Sequence, residues 1–249
     1  MIQSKEDRVS MPAAIETNLV ETFTSPTNIA VIKYWGKGDV KLNTPMNSSV
    51  SLTLDQSDLH TVTSIGALKE AEKDRMWLNG TEIEINKRGL TCLAEIRKLA
   101  QERVDSEGNV IVKKEEWADY KVHIVSINTF PTGAGLASSA AGLACFVSAL
   151  AKLYNVKEKF PGQLTAIARQ GSGSASRSMY GGLVRSNLIT EAVYQKGQEP
   201  HLITITIIII TTITIIIIII TSSGTAEPPA AGSSGSTPLY STQRATSSA

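Results

Sequence analysis

Apolar and polar positions alternate along much of the first 130 residues. SSVSLTLD carries an apolar residue at every second position from Val50, and LHTVTSI intersperses apolar Leu59, Val62 and Ile65 with polar residues, as strands with one buried face do. MWLNGTEIEI contains Asn79-Gly80, a pair that suits the tight two-residue turn of a hairpin. NIAVIKYW, Asn28 to Trp35, predicts the first strand, with residues 1–22 as a flexible leader before it. In TCLAEIRKLAQERVD the spacing changes, and Leu93, Ile96 and Leu99 fall on one side of a helix with charges opposite. YKVHIVSINTF, Tyr120 to Phe130, returns to strand alternation after a charged loop. AAGLACFVSALAKLY then predicts a helix ending near Asn155, and LTAIARQ another. Strands and helices mix without the regular βαβα rhythm of a doubly wound sheet, so the expected class is α+β.

The stretch PTGAGLASSAAG, Pro131 to Gly142, joins the last of these strands to the helix after it. Its glycines permit positive φ and close approach of the backbone to another group. Ser138 and Ser139 stand where the helix begins, so unpaired N–H groups and the positive end of the helix dipole meet there. An anion, above all a phosphate, is the favoured guest. The plainer alternative is a tight turn with Ser138 or Ser139 as N-cap and alanines packed against a sheet.

Past Leu188 the text changes. Leu202 to Ile220 is almost wholly isoleucine and threonine, and a Ser/Gly/Pro-rich tail expected to be disordered follows. The run is long enough to span a bilayer, but β-branched residues without aromatic or basic anchors match a membrane helix poorly, so no membrane is expected. Its uncharged, β-prone composition is that of an aggregation-prone strand. A nucleotide repeat or shifted reading frame would also write such a segment. The expected division is therefore a leader at 1–22, a folded domain at 23–188 and a low-complexity region at 189–249.

Charge and composition narrow the partners. A formal net charge of +1 over 249 residues, with no basic stripe, gives no reason to expect nucleic acid and favours a small molecule. Cys92 and Cys145 lie in apolar contexts without metal-ligand spacing and read as buried thiols in a reducing compartment. His60, His123 and His201 fall in strand-like alternation, where a sheet or surface role is expected rather than a metal. The N-terminus lacks an apolar h-region and mixes acids with bases, which leaves the cytoplasm as the expected location.

Two further motifs carry chemistry. NIAVIKYWGKGD sets Lys33 and Lys37 on either side of Tyr34-Trp35, and two ammonium groups so placed suit an anion between them. Lysines pointing to solvent from a strand are the plain alternative. GSGSASRSMYGG, Gly171 to Gly182, combines a flexible serine-rich loop with Arg177, whose guanidinium fork fits a carboxylate or phosphate.

Taken together, NIAVIKYWGK, PTGAGLASSAAG and GSGSASRSMYGG resemble the mevalonate diphosphate decarboxylase family of the GHMP kinase superfamily. The resemblance covers about Phe23 to Val184 and includes MNSSVSLTL, WLNG and FVSALAKLY in the family's order. It implies a GHMP kinase-type N-terminal domain of the ribosomal protein S5 domain 2-like fold. It also implies a homodimeric enzyme of the mevalonate pathway that uses ATP and Mg2+ to convert mevalonate 5-diphosphate into isopentenyl diphosphate. By the same resemblance, Gly133, Gly135, Leu136, Ala137, Ser138 and Ser139 bind the ATP phosphates. Ala30, Tyr34, Lys37, Ser172 and Ser174 line the substrate pocket. Lys33 lies near the reacting hydroxyl, Arg177 holds the substrate carboxylate, and Mg2+ is carried on ATP without protein ligands.

Family members have a C-terminal half that supplies an aspartate beside the substrate hydroxyl, and no such half is recognisable after Gly182. The sequence alone therefore predicts a truncated decarboxylase with the C-terminal domain missing, inactive unless another group replaces that aspartate. Two alternatives remain at this level: a related mevalonate or phosphomevalonate kinase, and a non-catalytic nucleotide-binding remnant.

Overall fold

The computed structural model describes residues 19–186 and 203–205. Eleven strands and four α-helices are assigned within them. β1 (Val20–Pro26), β4 (His60–Leu68), β9 (Lys121–Asn128), β5 (Arg75–Leu78) and β6 (Thr81–Ile83) form one sheet in that spatial order. Only the β5–β9 pair is parallel. β2 (Asn28–Ile32), β3 (Ser49–Thr53), β10 (Gly182–Ser186) and β11 (Ile203–Ile205) form a second, antiparallel sheet. β7 (Arg103–Val104) and β8 (Val110–Val112) make a small hairpin. Helices α1 (Lys87–Lys98), α2 (Ser138–Leu153) and α3 (Gln163–Gly171) pack together, with α2 against β1 and β4. The short α4 (Ala175–Ser178) bridges α2 and the second sheet.

The α+β class, the hairpin at Asn79-Gly80 and the three longer helices agree with the sequence patterns. Asn79 and Gly80 have φ of 50° and 82°, as a turn with positive φ at both centre positions requires. Asn86 caps α1 by accepting a hydrogen bond from the Gly89 N–H at 2.9 Å. α2 ends with Asn155 at φ 49° and with Val156 N–H donating to the Ala151 carbonyl at 2.8 Å, the wrapped ending that left-handed residues allow.

Other expectations need correction. The ordered chain does not begin at Asn28: β1 starts at Val20, and Leu19 before it is buried, because Val20–Pro26 pairs along its whole length with His60–Gly66. The helix expected to run through LAQERVD stops at Lys98, and Arg103–Val104 turns into β7. Arg103 is drawn there by Glu21, at 2.5 Å, and by the Lys152 carbonyl at the end of α2. In β3 the alternation is real but inverted. Ser49, Ser51 and Thr53 face inward, while Leu52 is 44% exposed. The leader through residue 18, His201, and all of the isoleucine-threonine run except Ile203–Ile205 lie outside the described residues. No helix among the described residues is long and apolar enough to cross a membrane.

The core gathers Ile65 and Ala67 of β4, Val122 and Ile124 of β9, Leu93 and Ile96 of α1, and Val147, Leu150 and Leu153 of α2. Cys92 and Cys145 are buried free thiols, each pushed up to about 12 by burial, so neither is a nucleophile at neutral pH. At the core's edge Asp74 takes two hydrogen bonds from Arg97, at 2.8 and 2.9 Å, and one from the Val122 N–H at 2.8 Å.

Truncating a fully buried side chain of α2 should be costly. Leu150→Ala is expected to lower unfolding free energy by about 2–5 kcal/mol, and Leu90→Ala, at an exposed site, by no more than about 0.5 kcal/mol, in urea titrations.

Burial alone would raise the Asp74 carboxyl, but the hydrogen bonds from Arg97 and Val122, with the charges of Arg97 and Lys121, outweigh it and hold it below its ordinary value. A depressed carboxyl stabilises the fold above its unfolded value, near pH ~4, and that contribution is lost as pH falls through the lower folded value. Asp74→Asn should therefore flatten the acid limb of the stability profile below about pH 4.

Candidate active site

β9 delivers the chain into the glycine loop, and the loop feeds α2. Gly133, Gly135 and Ala137 have φ of 79°, 77° and 54°, so positive φ recurs at every second residue. Alternating handedness of this kind turns successive N–H groups to one side and makes an anion-binding concavity. Nothing lies within 4 Å of where a Cβ would stand at Gly133 or Gly135. Glycine is therefore required by the backbone angle, and the space beside the loop is open. The N-cap is neither Ser138 nor Ser139 but Ala137, which has no oxygen to offer the first turn. The helix thus begins without a side-chain cap; the Ala140 N–H donates to the Ala137 carbonyl at 2.9 Å, and the Ser138 and Ser139 N–H groups ahead of it remain available to a ligand.

The loop forms one wall of a cavity of about 450 Å³. Thr27 to Ala30, Lys33 and Tyr34 come from β1's end, β2 and the turn after it. Gly135, Leu136 and Ala137 come from the loop, and Ser174 and Arg177 from α4 and its start. Among the described residues, two cations and no carboxylate line this space, which favours an anion. Of the residues singled out in the sequence, the fold thus gathers Ala30, Lys33, Tyr34, Gly135, Leu136, Ala137, Ser174 and Arg177 around one cavity. Gly133, Lys37, Ser138, Ser139 and Ser172 are not among its lining. Ser172 sits behind it with its hydroxyl 3.3 Å from that of Ser174. Lys37 is exposed and pairs with Pro45 in a neighbouring turn organised by Asp39 and Thr44.

Arg177 is the most constrained of these groups. It is 3% exposed, and its Nη1 donates to Ser49 Oγ at 3.2 Å while its Nε has no hydrogen-bond partner among the described residues. The guanidinium lies over the Tyr34 ring, 5.5 Å from the centroid. Burial pushes its pKa down, and Tyr34 opposes the shift. A buried guanidinium with an unpaired Nε is costly by itself and becomes favourable once an anion completes it.

Within the motif read as a serine-rich loop, Ala175–Ser178 form the helical turn α4, fastened from below. Asn28 Nδ2 donates to the Ser174 carbonyl at 3.1 Å and to Ser178 Oγ at 2.6 Å, and Thr53 Oγ1 donates to the Arg177 carbonyl at 3.2 Å. Gly173 leaves room for Tyr34, since a Cβ there would stand 2.9 Å from its Cζ. Asn28, Ser49 and Thr53 were not singled out as site residues. The signal available for the last two was the period-two spacing of hydroxyls in SSVSLTLD, which identifies the buried face only once α4 is known to lie on it.

Such a domain is an α+β fold with a glycine loop at a helix N-terminus beside a cationic cavity. The chain belongs to the diphosphomevalonate decarboxylase family: residues 25–192 match the diphosphomevalonate decarboxylase-like N-terminal domain. The diphosphomevalonate decarboxylase of Saccharomyces cerevisiae is 51% identical over 164 residues, 66% of this chain and 40% of that protein. A crystal structure of mevalonate 5-diphosphate decarboxylase superposes with a TM-score of 0.61 at 44% identity, covering 74% of this chain and 45% of the other. MDDEF, solved in complex with MVAPP, AMPPCP and magnesium, superposes with a TM-score of 0.55 at 31% identity, covering 76% and 51%. This chain thus spans about 40% of the length of the yeast relative it matches.

Arg177→Lys keeps the charge but loses the planar fork. Affinity for an anionic ligand of this cavity should fall about 10- to 100-fold, measured by titration calorimetry, with little change in thermal midpoint.

Proposed function

We propose that this chain provides the phosphate-binding loop and the substrate cavity of an ATP-dependent decarboxylase acting on mevalonate 5-diphosphate. The observation that carries the reading is the buried Arg177, with its Nε unpaired among the described residues, on the wall of a cavity that no described carboxylate lines, next to the glycine loop. Its family membership supplies the substrate class.

In this reading the loop N–H groups and the start of α2, with Gly133, Gly135, Leu136, Ala137, Ser138 and Ser139, hold the phosphates of ATP. That site fits because positive φ alternates along the loop and no side chain caps the helix. In this reading Mg2+ would arrive on the ATP phosphates. ATP supplies the phosphoryl group that makes the tertiary hydroxyl a leaving group. Lys33 sits beside that hydroxyl and offsets negative charge developing there. Arg177 grips the carboxylate as a carboxylate, so the electron pair of the breaking C–C bond can form the new double bond as phosphate departs and CO2 is released. Ala30, Tyr34 and Ser174 shape the wall around the substrate. Lys37 and Ser172, expected from the resemblance to line the substrate pocket, are not among the lining of this cavity. Homodimer formation and a cytoplasmic location extend the family resemblance.

Phosphorylation alone, as in related kinases, is not favoured, because the matched relatives carry decarboxylase names. The deciding measurements are MgATP binding and release of labelled CO2 from carboxyl-labelled mevalonate 5-diphosphate by the purified chain. Binding of MgATP is the expected result, and CO2 release that requires both ATP and Mg2+ would show in addition that another group replaces the aspartate supplied by the family's C-terminal half. A folded chain that neither releases CO2 nor binds MgATP overturns the reading.

A further inference from the structure

The glycine loop is tied at its base to a part of the fold that the proposed chemistry does not use. Asn79, in the β5–β6 turn, donates from Nδ2 to Thr132 Oγ1 at 3.1 Å. Asn128, the last residue of β9, donates to the same oxygen from its own Nδ2 at 2.9 Å. The two side chains are coupled to each other, since the Asn128 N–H donates to Asn79 Oδ1 at 2.9 Å. Asn79 N–H continues the parallel ladder to the Ser126 carbonyl at 2.9 Å, and its side-chain oxygen then serves as the next acceptor along β9. On the far side Thr61 Oγ1 donates to Asn128 Oδ1 at 2.6 Å, tying the group to β4.

Thr132 is the residue immediately before Gly133, where the alternation of φ begins. A loop containing two glycines and a left-handed alanine has many open conformations in the absence of such a tie. The two amides converging on one hydroxyl fix where that alternation starts, while α2 fixes where it ends. Asn is suited to position 79 twice over: it tolerates φ of 50° and its amide reaches Thr132.

We infer that Asn79, Asn128 and Thr132 form a clamp that presets the glycine loop for a chain of phosphates, with Asn79 and Thr132 as positioning residues. The inference rests on the reading of the loop as the ATP-phosphate site. Its consequence is that the hairpin turn at Asn79-Gly80 supports nucleotide binding although it lies outside the cavity lining.

The test measures dissociation constants of MgATP and of mevalonate 5-diphosphate for the full chain and three variants. Thr132→Val keeps the shape and removes the hydroxyl, and Thr132→Ser keeps the hydroxyl. Asn79→Gly keeps a residue at ease with positive φ and removes the amide. Each net hydrogen bond lost should weaken MgATP binding about three- to tenfold in Thr132→Val and Asn79→Gly. Thr132→Ser should bind within about twofold of the parent, and affinity for mevalonate 5-diphosphate should stay unchanged in all three. Parent-like MgATP affinity in both Thr132→Val and Asn79→Gly overturns the clamp and leaves the phosphate reading of the loop standing. Equal weakening by Thr132→Ser, or weakening for both ligands alike, also overturns it, since that reports general loosening of the fold. Failure of the parent chain itself to bind MgATP removes the phosphate reading, and the clamp's function with it.

Discussion

The close seating of α2 on the first sheet governs both the core and the site. Ala140, Ala141, Ala144, Cys145 and Ser148 of α2 are all buried, and the helix packs on β1 and β4. Such small side chains let the helix axis come near the strands, and the Cys145 thiol reaches the Phe23 carbonyl of β1 at 2.9 Å. A larger residue at Ala144 or Cys145 would lift the helix and swing its N-terminus. That N-terminus is the one the glycine loop enters, so a single packing surface sets hydrophobic burial and the position of the anion cradle together.

The second sheet solves a different problem. An arginine that is almost wholly buried needs polar surroundings, because an unpaired charge in the interior is strongly disfavoured. β2 and β3 supply them by turning their polar residues inward. Asn28 and Thr53 hold the backbone of α4, and Ser49 meets the guanidinium. The apolar residues of these strands then face outward, with Ile29 and Leu52 at 56% and 44% exposure. One nitrogen of Arg177 stays unpaired within the described residues, which is the condition expected of a group whose last partner is a ligand.

Local chemistry and period carried much of this molecule into view. Leu93 and Ile96 at helical spacing, the strand alternation of β4 and β9, and the turn demand of Asn79-Gly80 each act over a few residues, so each can be read without knowing the fold. The glycine-serine stretch could be assigned to a helix N-terminus for the same reason: backbone freedom and helix propensity are local properties. Family resemblance then tied three separated motifs to one chemistry, which pattern alone left open between an anion site and a plain turn.

What the tertiary structure decided are the matters that depend on which surfaces meet. Whether serine or leucine faces inward in β3 cannot follow from alternation, because period two defines two faces and does not say which one is covered. The packing of α4 makes that choice. The same holds for the cap of α2, where the left-handed turn at Ala137 leaves both serines inside the helix, and for Arg103, which is drawn from an expected helix into a strand by Glu21, distant in sequence. Sequence by itself determined the periodicities, the turn residues and the small-side-chain surface. The tertiary fold decided which of the basic and hydroxyl residues share a cavity, because burial and charge pairing are properties of the assembled layers.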